Sequence, residues 1–210
     1  MKRFSVQNIN DMDYLYRINL INSCSGFKSA NLLGTKSGEG KSNVAVFSSV
    51  THIGSNPPLL GFFLRPTTVM RNTYENIKET KVFTVNHIHE PILEDAHHTS
   101  AKYAKQVSEF DMTNLEEEYI NDCYAPFVKG VPVKMALKYI EEHPVKANST
   151  ILVVGQITEL YIDESILQPD GFIDLTKAKV SAINGLDAYT TPVLKTRLSY
   201  QRPKPETAKK

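Results

Sequence analysis

With 210 residues, 41% of them hydrophobic, the chain can bury a sizeable core, and one domain with excursions is a simpler organisation than two small ones. Its 24 Lys and Arg against 23 Asp and Glu leave a formal charge of +1, which gives no electrostatic footprint for nucleic acid or an anionic membrane. A small uncharged or mixed-charge ligand suits this balance better. Cys24 and Cys123 have neither CxxC spacing nor a neighbouring His or Cys cluster, so the expectation is two reduced thiols, with no zinc site and no disulfide framework. The first residues lack an apolar stretch of signal-peptide length, and the runs "LLGFFL" and "ILVVG" are too short to span a bilayer. A soluble cytoplasmic protein is expected.

In chain order, four short runs rich in β-branched or aromatic residues and bounded by Gly, Pro, Asn or Ser predict strands: "SANLLGT" (29–35), "NVAVFSSV" (43–50), "LLGFFL" (59–64) and "VFTVNHI" (82–88). Between the last two, Val69, Thr73 and Ile77 fall four residues apart after Thr67 and Thr68, which predicts a short amphipathic helix with a threonine N-cap. Residues 91–120 are more polar, and Leu93, Ala96, Ala104 and Val107 suit a helical insertion. The β-pattern resumes in "VPVKMALKYIE", where Val131, Val133, Met135 and Leu137 alternate with Pro132, Lys134, Ala136 and Lys138, and in "STILVVGQITELYID". Residues 201–210 form a proline-containing basic tail that should be extended or flexible, leaving 1–200 as one domain. Strands at this spacing, mostly without a helix between each pair, favour an antiparallel barrel over a doubly wound parallel sheet.

The stretch "GTKSGEGKS" (34–42) imitates a phosphate-binding loop but misses its spacing. Four residues before Gly40-Lys41-Ser42 the loop needs a glycine; Thr35 stands there, with Gly34 one place too early. A strand-like run follows Ser42 where a helix is required. The stretch therefore reads as a β-hairpin tip, with Gly38 and Gly40 supplying positive φ and Lys36, Glu39 and Lys41 in water.

A strand, a glycine-containing turn, an Asn opening the next strand, "FSSVTHIGSNPPLL" (47–60), "RNT" (71–73), "ENI" and "FTVN" (83–86) together resemble the flavin reductase family, the FMN-binding split barrels that include flavoredoxin. The resemblance resumes in "APFV" (125–128), "ILVVGQITELYID" and "NGLDAY" (184–189). Members often have a proline where the first strand begins and a "GG" before the late tyrosine; here Lys28-Ser29 and Asn184-Gly185 stand instead. The resemblance implies a mainly β, antiparallel Greek-key split barrel with inserted helices.

It also implies FMN as cofactor, and it assigns residues to it. Ser48, Ser49, Val50 and Thr51 would present backbone N–H groups and hydroxyls to the ring, with Asn43 on the same strand reaching ring or ribityl atoms. From the residues alone, a Ser/Thr run closing a solvent-facing strand is an equal reading. Arg71, Asn72 and Thr73 would hold the phosphate through a guanidinium fork, a hydroxyl and helix N-terminal N–H groups, with Arg65 as a second candidate. Asn86 and His87 would lie beside the flavin. His87, His89, His97 and His98 have no metal-ligand spacing, and His97 and His98, adjacent on a helix, face different ways.

The implied activity is NAD(P)H:flavin oxidoreduction, hydride passing from NADH or NADPH to FMN N5 without a nucleophile–base constellation, so that no catalytic side chain is assigned. The implied partners are a second copy, in a homodimer that completes the flavin site, and a partner oxygenase or redox protein. The alternative is a flavoredoxin-like FMN electron carrier with no nicotinamide oxidation of its own. A pyridoxamine phosphate oxidase relative would want a further set of basic residues for a second phosphate, and no matching set is found.

Overall fold

A computed structural model describes residues 1–68 and 71–203. Two N-terminal helices, α1 (Val6–Asn10) and α2 (Tyr14–Cys24), precede the strands β1 (Lys28–Ser29), β2 (Asn31–Lys36), β3 (Ser42–Phe47), β4 (Thr51–Ser55) and β5 (Pro58–Leu64). Then come α3 (Asn72–Thr80), β6 (Val82–His87), α4 (Leu93–His98), β7 (Glu117–Glu118), β8 (Phe127–Val128), β9 (Val133–Val145), β10 (Thr150–Ile162), β11 (Ala182–Asn184) and β12 (Ala188–Thr190). Seven strands form one antiparallel sheet in the order β3-β2-β6-β9-β10-β5-β4, and β1, β11 and β12 form a smaller one.

The long hairpin β9–β10 is the spine of the sheet. Its apolar residues point to two cores: Leu33, Phe62, Phe83, Val85, Leu137 and Val153 fill one, while Leu32, Val44, Ile88, Phe110 and Val128 fill the other. Alternate residues of a strand face opposite sides, so β2 sends Leu32 to one core and Leu33 to the other. Helix α3 covers the first core with Ile77. The expected alternation along β9 does not hold: Lys134 and Ala136 are buried as well as Val133, Met135 and Leu137. The second core covers the other face, and Lys134 is tolerated there because its ammonium pairs with Glu118 of β7.

Residues 34–42 do turn β2 into β3, as a hairpin. Only Gly40 takes a positive φ, +89°; Gly38 is a close-approach glycine whose N–H donates to Glu79 Oε2 at 2.9 Å, with no room for a Cβ beside that carboxylate. The lysines are less free than expected. Lys36 lies over the rings of Tyr119 and Tyr124, and Lys41 pairs with Asp111.

Four further expectations need correction. Helix α3 begins at Asn72 with Arg71 in the N-cap position, not at Thr67 or Thr68; Val69 lies outside the described residues. The insertion at 91–120 holds one short α-helix, two 3-10 turns and strand β7, because its apolar residues are too sparse to pack a longer helix. Thr51 opens β4 instead of entering a loop, and Ser48–Val50 alone are irregular. The helices α1 and α2 were not expected. Residues 191–203 are extended and exposed; the rest of the expected tail, 204–210, lies outside the described residues.

Candidate functional site

Most of the residues that the sequence singles out meet along one rim. Ser49 Oγ accepts the Phe63 N–H at 3.1 Å and donates to the Phe63 carbonyl at 3.0 Å, which fixes the 48–50 loop to the end of β5. Two residues beyond Phe63 stands Arg65, exposed, followed by Pro66, whose carbonyl accepts from Arg71 Nε at 3.3 Å. Partial burial and then repulsion from Arg65 hold the Arg71 guanidinium below the ordinary arginine value. Two cations close enough to repel, beside the unbonded first N–H groups of α3, make an anion-seeking corner.

Behind that corner, Asn43 and Thr73 are buried and joined at 3.2 Å. Oriented by its neighbours, the Asn43 amide donates to Glu109 Oε2 at 3.1 Å and accepts from Thr73 Oγ1 and the Val44 N–H, each at 3.2 Å. Burial pushes the Glu109 carboxyl above the usual range, partly offset by backbone N–H donors. Asn43 and Thr73 thus anchor the rim from beneath, their side chains engaged by each other and by Glu109.

The other flank of the 48–50 loop is built by register. Asn31 pairs with Phe47 on one side and His87 on the other, and Ser29 Oγ donates to the Val50 carbonyl at 2.9 Å. Asn31 Nδ2 donates to Ser29 Oγ, whereas Asn31 Oδ1 and His87 Nδ1 are buried without a partner. Desolvation lowers the His87 pKa to about 4, so its imidazole is neutral at pH 7. A buried polar atom without a partner is costly. This flank therefore offers neutral hydrogen-bonding capacity that the chain itself does not use, of the kind that an uncharged heteroaromatic edge would satisfy.

Asn86 does not join it. Its amide donates to the Leu32 carbonyl and Thr84 Oγ1 and accepts from the Val128 N–H, all inside the sheet, which leaves it no free donor for a flavin. His97 meets Tyr189, and His98 meets Tyr103 on another side of α4. Among the described residues, no group of His, Cys, Asp and Glu has a metal-site arrangement. Sequence reasoning missed Ser29, Asn31 and Glu109. The first two carried a legible signal, polar residues two apart in an apolar strand and hence on one face.

The residues present fit FMN: a two-arginine corner for a dianionic phosphate, an irregular loop edge, and a neutral polar flank. The described residues include no helix long and apolar enough to cross a membrane.

Comparison with known proteins agrees with this geometry. The flavin reductase like domain matches residues 25–177. A protein of Shewanella frigidimarina described as a flavin reductase with a split barrel domain is 45% identical, with 96% of this chain and 100% of that one covered and a TM-score of 0.93. Nitrilotriacetate monooxygenase component B of Bacillus cereus is 19% identical, covering 94% and 98% of the two chains at a TM-score of 0.82. Flavoredoxin of Desulfovibrio vulgaris is 21% identical, covering 87% and 92% at a TM-score of 0.68. These last two share the fold. With its antiparallel sheet, its rim and a family match over most of its length, the chain belongs to the flavin reductase-like family of split-barrel flavoproteins.

Proposed function

We propose that this protein is an FMN-dependent oxidoreductase of the NAD(P)H:flavin reductase type, working as a homodimer in the cytoplasm. The observation that carries the reading is the continuous rim from Arg71 and Arg65 through Ser49 to Asn31 and His87, charged at one end and neutral at the other. Arg71 and Arg65, with the N–H groups of Asn72 and Thr73, would hold the phosphate as charge-assisted donors. The 48–50 loop and Thr51 would line the ring, with Ser49 holding the loop in place. His87, kept neutral by burial, would give the ring a hydrogen bond without adding a charge that fixes its redox state. When bound, FMN supplies hydride acceptance from NADH or NADPH, chemistry that asks the protein to bind and orient. The acceptor would be free flavin or a partner oxygenase; the fold shared with a monooxygenase component B supports the latter.

Steady-state oxidation of NADH and NADPH by the purified protein with added FMN tests the reading. Turnover far beyond one equivalent of bound flavin supports it. Tight FMN binding without nicotinamide oxidation supports a flavoredoxin-like carrier instead, and absence of FMN binding in titration overturns both.

A further inference from the structure

We propose that the N-terminal helix pair and the arm of residues 191–203 form a clasp that closes on a second copy of this chain. This rests on the dimer of the preceding reading and names the elements that make it.

The first observation is area. The chain exposes 13482 Å², more than a third above the roughly 9,800 Å² expected of a compact monomer of its mass. The excess, of order 3,700 Å², falls in the range that obligate dimers bury.

The second is where the uncovered surface lies. No residue in 1–29 is buried. In α2, Tyr14, Leu15, Tyr16 and Ile21 are 64%, 66%, 51% and 45% exposed. At 100° per residue these side chains, with Ile18 and Leu20, point to several sides of the helix. A helix apolar nearly all round belongs in an interior, and an isolated one of 11 residues is marginal in water. At its C-terminal end α2 is tied to the body: Lys28 Nζ donates to the Asn22 carbonyl at 3.0 Å.

The third is the arm. Residues 191–203 are all exposed, yet they carry Val193, Leu198 and Tyr200, at 87%, 83% and 91%. Arg197 is its described anchor, paired with Asp170 at 2.6 Å and lying over the Phe172 ring at 4.1 Å. Between α1 and α2 lies a groove of about 490 Å³ walled by Phe4, Met12 and Tyr16. It is an apolar receptor for a strand with apolar side chains.

A second copy is the occupant that satisfies every one of these surfaces together. Two-fold pairing presents each arm to the partner's helix pair and each helix pair to the partner's arm, so one interface covers both. A net charge of +1 opposes such self-association hardly at all.

The test is sedimentation velocity across a dilution series on the full chain, on a form ending at Thr190, and on Leu15→Glu/Ile21→Glu. Hydrogen exchange is followed on the full chain at each concentration. The clasp predicts a dimer whose dissociation constant rises roughly thirtyfold or more in both altered forms, the scale of losing interface anchors. It also predicts protection of 14–24 and 191–203 that disappears on dilution. Unchanged dimer affinity in both altered forms, or exchange in these segments that ignores concentration, overturns the clasp while leaving the dimer. A full chain that stays monomeric overturns both. If an altered form fails to fold, the exchange measurement on the full chain decides alone. FMN titration of the same samples reads the flavin assignment separately.

Discussion

Asn43 and Thr73, thirty residues apart in sequence and 4% and 5% exposed, meet side chain to side chain at 3.2 Å. Glu109 reaches the same amide from the insertion. One buried contact thus fastens β3, α3 and the 109–112 turn together beneath the arginine corner. Asn43→Ala leaves the Thr73 hydroxyl and the Glu109 carboxylate short of a partner, and should cost about 1–3 kcal/mol in urea unfolding. A loss within a few tenths would show that the contact carries little.

Arg71→Ala should weaken FMN by about 1.5–3 kcal/mol, the scale of a hydrogen bond to a charged group. Arg65→Ala should cost less, since Arg65 is exposed and its field is screened. Lys41→Ala, which removes only the exposed pair with Asp111, should leave FMN affinity unchanged. Fluorescence titration of the three variants checks the order; equal losses at Arg71 and Lys41 would remove the phosphate from the α3 corner.

His87 predicts an acid-side loss of stability. Its pKa in the folded chain is about 4, below the ordinary 6.5, because burial disfavours the imidazolium. The unfolded chain therefore takes up the proton first as pH falls. Stability is full above pH 6.5 and declines between about 6.5 and 4, by about 3 kcal/mol over the whole window at 1.36 kcal/mol per unit. His87→Gln should flatten that part of the pH–stability profile while the carboxylate contributions remain. Profiles that superimpose would mean His87 titrates normally.

Gly34 stands where β2 crosses β8. A Cβ there would come within 2.5 Å of Thr84 Oγ1 and closer still to the Pro126 carbonyl, the two groups joined by a 2.6 Å hydrogen bond. Gly34→Ala should cost about 1–3 kcal/mol by overpacking, read as a fall in the thermal midpoint. Gly130→Ala would meet no neighbour within 4 Å, so its cost should come from the backbone alone, at φ +77°.

The core strands were legible because burial imprints a pattern: Leu32, Leu33, Phe83 and Val85 sit in β-branched or aromatic runs between turn residues. Strand β4 was not, since Thr51–Ser55 lies at a sheet edge with its side chains largely in water and carries no alternation to read. Helix α2 escaped for the opposite reason. Its apolar residues surround the axis, so no stripe appears in sequence. Of the rim, Ser48–Thr51 and Arg71–Thr73 were visible through the family pattern. The burial of Lys134 and Glu109 was not, because each depends on partners brought in from distant segments, Glu118 for one and Asn43 with Val44 for the other.

The hairpin tip that imitates a phosphate loop carries an anion after all, and the chain provides it. The Glu79 carboxylate sits on the Gly38 N–H as a bound phosphate oxygen would, while Tyr124 donates to the neighbouring Ser37 carbonyl at 2.7 Å. A tethered ligand competes at an effective concentration in the millimolar range or above. Free nucleotide at this turn would have to outcompete an occupant that cannot diffuse away, and restoring a glycine at position 35 would leave that occupant in place.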